Sequence, residues 1–260
     1  MKKLLITAIL LVLGLICFVS CSCNKETVQN DQTVQNQTPP KQVTVSFETY
    51  LDGVKIPPQT VNVGARIAAP TQEMVRAGYS LIGWFNGDKM WDFNKNVATE
   101  NITLIAKWES YLSYAAISEI TDKNILSIVG ESNKDGIIVT GCNFNVENVI
   151  IPKTYNGKKV VGIHWGFANR TKIKSIVIPD TVVYISTNAF NRCENLKSIV
   201  IPKSVTYLDR GAFFLCTSLE AIYCEAPSKP VKWHKDFNLK TSKTENGEQR
   251  YNVVYNYQEN

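Results

Sequence analysis

The sequence of 260 residues has few of the features on which catalysis usually depends. Only two histidines are present, His164 and His234, and neither lies near a G-x-S-x-G or cysteine-nucleophile motif. No phosphate-binding loop and no G-x-G-x-x-G fingerprint occurs, so nothing indicates nucleotide binding. The seven cysteines include no C-x-x-C pair, which argues against a zinc site. We therefore expect no enzyme, no cofactor and no metal.

Charge of one sign is also scarce. The formal net charge is +5 at pH 7, and a signal peptide carrying Lys2 and Lys3 would take two of these charges with it, leaving about +3. There is no run of like charge and no arginine-rich patch, so nucleic acid is not expected as a partner. Acidic residues are scattered without a spacing that selects a pair. Because the carboxylates of a glycosidase pair in space and not in sequence, the sequence leaves sugar hydrolysis open without favouring it.

A repeat dominates the C-terminal half of the chain. Phe167, Phe190 and Phe213 recur at an interval of 23 residues, and a constant period of about 20–50 residues is typical of a solenoid. Other positions keep the same step: Ile173, Leu196 and Leu219; Ile176, Ile199 and Ile222; Pro179 and Pro202; Cys193 and Cys216.

Each repeat has the pattern of one short strand followed by a turn. Ile199 and Ile201 lie on one face of the strand and Val200 on the other, while Pro202 ends it because proline cannot donate to a ladder. A single unit cannot bury its apolar face, so the units must stack. Stacking predicts a column of phenylalanines and places Cys193 above Cys216. These two cysteines form either a disulfide or, as we favour, a pair of buried thiols.

The repeats resemble the BspA-like leucine-rich repeats of bacterial surface proteins. The segments LKSIVIPKSVTYLDRGAFFLCTSLEAIY (196–223) and IKSIVIPDTVVYISTNAFNRCENLKSI (173–199) carry the resemblance. An earlier and longer unit begins at Val149, so we assign the repeats to residues 149–227. The pattern fades after Pro227, and residues 228–260 are expected to cover the last unit.

The N-terminus has the order of a secretory signal. Residues 1–3 are positively charged, residues 4–19 are apolar, and Cys21 follows Ser20. This arrangement resembles a lipobox, which implies that residues 1–20 are removed and that Cys21 carries a diacylglycerol thioether and an amide-linked acyl chain. Cys23 is the second candidate, and an ordinary signal peptide with incidental cysteines is the alternative. Residues 21–41 are poor in apolar side chains and predict a disordered tether, with a reach on the order of 25 Å.

A small β domain is predicted for residues 42–108. Alternation over 43–47 indicates a strand, and the segments GYSLIGWF, WDF and ITLIAKW follow in that order. Together they resemble the InlB B-repeat, which implies a β-grasp-like module. Trp84, Trp91 and Trp108 then belong to its core more readily than to a ligand-stacking platform. Residues 109–148 are expected to form a cap hairpin, with strands at 126–129 and 137–139.

The predicted fold is therefore mainly β, a small β-grasp-like domain followed by a short leucine-rich-repeat solenoid. By resemblance, the protein is expected to be anchored by lipid in the cell envelope, at the outer membrane or cell surface. There it would act as an adhesin for host or neighbouring-cell proteins. Alternatives are an envelope scaffold and a carbohydrate-binding protein. Solenoids bind partners on exposed faces, and the candidate binding residues are Lys174, Ser175, Val177, Lys197, Ser198, Val200, Glu220 and Tyr223.

Overall fold

The computed structural model describes residues 39–120, 123–143, 145–241 and 247–258. The described chain is mainly β with little helix, a small β-grasp-like domain followed by a short solenoid, and the predicted fold class is confirmed. The predicted signal peptide, Cys21, Cys23 and nearly all of the predicted tether lie outside the described residues. Among the residues that are described, no helix combines the length and the apolar character needed to cross a membrane.

The first domain is a single mixed sheet. Its strand order is β2-β1-β5-β3-β4, in which β1 runs parallel to β5 and the other neighbours are antiparallel. The β-grasp-like character lies in this order, because the first and last long strands pair at the centre of the sheet. The strands are β1 (Gln42–Glu48), β2 (Gln59–Asn62), β3 (Tyr79–Asn86), β4 (Lys89–Met90) and β5 (Ile102–Ser110).

The tryptophans of this domain are core residues, as predicted. Trp84 and Trp91 are buried, and Trp108 packs half-buried against the same cluster. Phe47 meets Trp84 edge to face, with ring centroids 5.1 Å apart. The indole Nε1 of Trp108 donates to the carbonyl of Thr49 at 3.0 Å, so its polar atom is satisfied within the domain.

The segment that leads into the solenoid differs from the prediction. A strand was expected at 126–129, but these residues belong to helix α1 (Lys123–Val129), so that prediction is wrong. Ile125 and Val129 are buried four residues apart while Leu126 is exposed, which is helical spacing. Gly130, at φ +80°, ends the helix, as glycine commonly does.

The antiparallel partner of β7 (Ile137–Cys142) is instead β6 (Leu112–Ala116). Two short 3₁₀ helices, Ile117–Glu119 and Glu131–Asn133, flank α1. Helix α1 packs with Ile138, Val161 and Tyr184 in a small cluster separate from the main solenoid core. It therefore covers the face of the sheet that points away from that core.

Each coil of the solenoid contributes one strand to each of two opposite walls. One wall has the order β14-β12-β10-β7-β6, with β9 paired to β10; the other comprises the parallel pair β8-β11 and the parallel trio β13-β15-β16. The strands are β8 (Asn148–Ile150), β9 (Thr154–Tyr155), β10 (Lys158–Ile163), β11 (Ser175–Val177), β12 (Tyr184–Ile185), β13 (Ser198–Ile201), β14 (Tyr207–Leu208), β15 (Ala221–Cys224) and β16 (Asn252–Val254).

The predicted phenylalanine column is present between these walls. Phe167, Phe190 and Phe213 are fully buried. Phe190 stacks on Phe167 with centroids 5.5 Å apart and an interplanar angle of 8°, and on Phe213 at 5.2 Å and 1°. The column shows that successive coils share one cross-section, as the 23-residue period requires.

The cysteines of the core are thiols. Cys142, Cys193, Cys216 and Cys224 are all buried and free, and no disulfide joins any pair of cysteines among the described residues. The Sγ atoms of Cys193 and Cys216 donate to the carbonyls of Phe167 and Phe190, at 3.2 and 3.0 Å. The interpretation of Cys193 and Cys216 as buried thiols is confirmed.

Two turn positions in each of three successive coils have left-handed backbone conformation. They follow the 23-residue step, and coil-to-coil hydrogen bonds such as that from Phe190 N to Ala212 O, at 2.8 Å, hold the turns together. The positions are Trp165, Asn188 and Gly211 at φ +57°, +57° and +60°, and Asn169, Arg192 and Leu215 at φ +62°, +59° and +61°.

The last coil is covered by the C-terminal segment. Trp233 and Phe237 are buried in the main core, and Trp233 Nε1 donates to the carbonyl of Val205 at 3.0 Å. Arg250 Nη2 lies 2.6 Å from a carboxylate oxygen of the largely buried Asp236. This ion pair ties the residues just before β16 to the turn that follows Trp233.

Tyr111 joins the two domains. Its hydroxyl donates to the carbonyl of Ile150 at 3.2 Å and accepts from the amides of Ile150 and Gly78, at 2.9 and 3.2 Å. Beside it, Tyr155 of the solenoid stacks on Tyr79 of the first domain with centroids 6.3 Å apart. Buried polar and aromatic contacts thus link the sheet of the first domain directly to β8 and β9.

Candidate binding surface

The wall built from β8, β11, β13, β15 and β16 presents two outward rows of side chains. We call this surface the strand face. Strand register places equivalent residues beside one another within each ladder, and the residues between the two rows, Val149, Ile176, Ile199 and Ile222, point into the core. The first row is Asn148, Ser175, Ser198, Ala221 and Asn252, and the second is Ile150, Val177, Val200, Tyr223 and Val254. Ala221 is the one member of the two rows that is buried.

The predicted binding residues lie on the strands of this wall or, for Lys174, Lys197 and Glu220, directly before them, and their exposure differs. Lys174, Ser175, Lys197, Ser198 and Glu220 are exposed, and Val177 is the most exposed apolar member of the rows, at 55%. The remaining two predicted residues, Val200 and Tyr223, are half-buried. Whether these residues contact a ligand stays a prediction.

Polar side chains along the edge of the strand face are held by contacts between coils. Lys174 Nζ lies 2.7 Å from Glu147 Oε2, and this hydrogen bond lowers the pKa of the Glu147 carboxyl. Ser175 Oγ donates to Asn148 Oδ1 at 2.8 Å. Since the partners belong to successive coils, the surface is ordered before any ligand arrives, which reduces the entropic cost of binding.

Several members of the strand face were missed by the sequence reasoning. Asn252 and Val254 belong to it because β16 adds a further parallel strand beside β15. Tyr257 also reaches it, with its ring centroid 4.7 Å from that of Tyr223. Nothing in the 23-residue period points to these residues, because β16 lies beyond the last regular repeat. Asn148 and Ile150 lie in the first unit, which is four residues longer than the others. Once this extra length is allowed for, they are the equivalents of Ser175 and Val177.

The strand face is interrupted between β11 and β13. These two fully described strands share no ladder, and a depression of about 220 Å³ lies between them. Its walls include Val177, Val200, Pro202 and Glu225. The facing edges of β11 and β13 are therefore not paired with each other along this depression.

The two histidines lie away from the strand face. His164 stacks between Trp165 and Tyr184, and His234 Nδ1 accepts a hydrogen bond from the amide of Asp236 at 3.0 Å. Within the part of the chain that the structure describes, no group of three His, Cys, Asp or Glu side chains could hold a metal ion. The strand face itself offers hydroxyl, amide, ammonium and aliphatic groups for non-covalent contact.

Two segments of the chain are similar to known families. Residues 141–241 match the BspA type leucine rich repeat region in six copies, and residues 44–107 match the Listeria-Bacteroides repeat domain. Both resemblances seen in the sequence are confirmed.

Comparison with solved structures and curated proteins adds little. The crystal structure of the T. pallidum leucine rich repeat protein is 20% identical over 44% of this chain and 68% of that one, with a TM-score of 0.27, too low to carry an argument. No curated protein matches the chain significantly. The chain thus joins a segment similar to the Listeria-Bacteroides repeat domain to repeats similar to the BspA type, and both kinds of repeat are typical of bacterial surface proteins.

Proposed function

We propose that this protein is a lipid-anchored cell-surface adhesin that binds host or neighbouring-cell proteins through the strand face. The observation that carries the proposal is the pair of outward rows, in which serine and asparagine run beside valine, isoleucine and tyrosine on a fixed frame. A surface of this kind offers aliphatic and aromatic contact together with polar groups, as the centres of protein interfaces do.

Tyr223 and Tyr257 are the expected anchor of the interface. Tyrosine is enriched among the residues that dominate binding energy, because it supplies a large contact area and a hydroxyl at low entropic cost. The two rings are in contact with each other, and Tyr223 sits in register between Val200 and Val254. We expect a partner to bury this end of the strand face most completely.

The proposed anchor is a thioether lipid on Cys21, with Cys23 as the second candidate. One acyl chain holds a protein to a membrane only marginally, whereas two or more hold it stably. Many copies on one cell would then bind a partner surface multivalently. Metabolic labelling with radioactive palmitate tests this: Cys21→Ser should abolish labelling while Cys23→Ser retains it, and labelling that persists in Cys21→Ser contradicts the assignment.

The strand face is tested with detergent-purified full-length protein on immobilised extracellular-matrix proteins. The variant Val177→Asp/Tyr223→Ala is expected to lose binding at least about tenfold. Val231→Asp is the matched control, because Val231 is 98% exposed and lies outside the face. Equal binding by the wild type and the double variant would show that another surface makes the contact.

An envelope scaffold without a host ligand is the competing function. Protease treatment of intact cells separates the two, since a protein displayed outside is cleaved and one that faces the periplasm is not. Protection of the full-length chain on intact cells, with cleavage after lysis, would reject the adhesin proposal.

A further inference from the structure

Trp165 has a left-handed backbone conformation, which is unfavourable for a bulky residue. In the two following coils the same position is held by Asn188 and Gly211, and all three residues have φ near +60°. Glycine and asparagine adopt this left-handed region readily, whereas a bulky residue there is a genuine outlier. Strained conformations cluster at binding and active sites, where the local cost in stability serves function.

The strained position holds a largely exposed ring. The Trp165 side chain is 61% exposed, so it does not compensate for the strain by full burial. Its indole stacks on His164 with centroids 5.7 Å apart and an interplanar angle of 12°, and His164 in turn stacks on Tyr184. The accessible area therefore lies on the other face of the indole and along its edges.

The backbone under the ring is held rigidly. The amide of Trp165 donates to Ser186 Oγ at 3.1 Å, and the amide of His164 donates to the carbonyl of Val139 at 2.8 Å. Gly166 packs so closely that a Cβ atom there would lie 3.1 Å from the Val139 side chain. The turn thus fixes the backbone from which the indole projects.

Polar side chains stand beside the ring on the next two coils. One repeat along from His164 and Trp165 are Thr187 and Asn188, and two repeats along are Arg210 and Gly211. Thr187 Oγ1 donates to Asp209 Oδ2 at 2.6 Å. Thr187, Asn188, Arg210 and Gly211 form one side of a depression of about 390 Å³. Since coils joined by strand ladders are about 4.8 Å apart, the depression begins within one coil of the indole.

We propose that Trp165 and these polar turns bind a neutral oligosaccharide. One face of a sugar ring presents C–H bonds with partial positive charge, which suits the negative face of an indole. Its hydroxyls both donate and accept hydrogen bonds, and the threonine hydroxyl, asparagine amide and arginine guanidinium together offer both kinds of group. One sugar residue stacks on Trp165 and the next extends towards Thr187 and Asn188.

A bound cation fits the site less well. A cation is attracted to carboxylates as well as to the face of a ring. The nearby Asp209 carboxylate already accepts from Thr187 and from the amide of Arg210, and the carboxylate of Glu248, which lines the depression, is paired with Arg250 Nη2 at 2.7 Å. Arg210 also brings positive charge to the same surface. The site lies on the turns of the solenoid and not on the strand face, so it stands independently of the adhesin proposal.

The test is calorimetric titration of detergent-purified full-length protein with maltotetraose, cellotetraose and chitotetraose. We expect at least one of them to bind, with a dissociation constant on the order of 1 mM. Trp165→Asn should weaken that binding at least about tenfold. This variant should stay folded, because asparagine already occupies the equivalent Asn188 position at the same φ. Asn188→Ala should also weaken the binding, and Val177→Asp, on the strand face, should leave it unchanged.

Two results would overturn the proposal. One is the absence of binding by all three tetrasaccharides. The other is binding that is equally tight in the wild type and in Trp165→Asn. Titration with tetramethylammonium is the parallel arm: if it bound in a manner dependent on Trp165 while the sugars did not, the site would belong to a cation instead.

Discussion

Replacement of Phe190 by leucine tests the stacked core directly. Phe190 is fully buried and lies between two rings at centroid distances of 5.5 and 5.2 Å. Leucine keeps most of the apolar area, so the loss consists of two stacked pairs, at about 0.5–1.5 kcal/mol each, plus a small cavity. The free energy of unfolding should fall by about 2–3 kcal/mol.

Phe213→Leu is the matched comparison, because among the described residues Phe213 stacks on Phe190 alone. It should cost about 0.5–1.5 kcal/mol less than Phe190→Leu. Both values can be measured by urea unfolding at equilibrium, provided that the dependence on urea concentration is unchanged. Equal losses for the two variants, or a loss below about 0.5 kcal/mol for Phe190→Leu, would refute the claim that stacking between coils stabilises the solenoid.

Three further outcomes are expected. Tyr111→Phe leaves the amides of Gly78 and Ile150 without their acceptor. The free energy of unfolding of the full chain should therefore fall by about 1–3 kcal/mol, and an unchanged urea midpoint would contradict this. Burial raises the pKa of Cys224 to about 12, and a hydrogen bond with the Cys216 thiol, together with burial, raises that of Cys193. Both thiols should therefore resist Ellman's reagent at pH 8 until the protein is unfolded. The Arg250 guanidinium lowers the pKa of Asp236. The pair therefore stabilises the fold above the ordinary aspartate pKa of about 3.9, and this contribution is lost as the pH falls through the lowered pKa. The melting temperature of Asp236→Asn should accordingly fall less on acidification than that of the wild type.

The solenoid could be predicted in detail because its sequence repeats. A constant step assigns each residue the environment of its equivalents, so that Phe190 predicts Phe167 and Phe213, and Cys193 predicts Cys216. The exposure of Val177 and Ser198 follows from the alternation within each strand. The similarity between repeats thus reveals which residues pack together across the fold, and the sequence of one isolated strand or helix does not reveal this.

The features that escaped prediction lack that support. A short apolar run such as 126–129 is compatible with helix or strand until its packing partner is known, and here the partner is the outer side of β7 and β10. The pairing of β16 with β15 depends on a return of the chain after a long irregular segment. The 23-residue alignment already puts Trp165 at the position of Asn188 and Gly211, so the unusual residue type could be seen in the sequence. That this position has a positive φ could be seen only in the structure.

The hydrogen bonds of Tyr111 have a mechanical implication. Because its hydroxyl is shared between the first domain and β8, a tilt of either domain relative to the other would have to break buried contacts. If a large partner docked on the solenoid, the module similar to the Listeria-Bacteroides repeat would then point in one fixed direction. Tension applied through residues N-terminal to β1 would reach the docked coils as a torque, with little of it absorbed at the domain boundary.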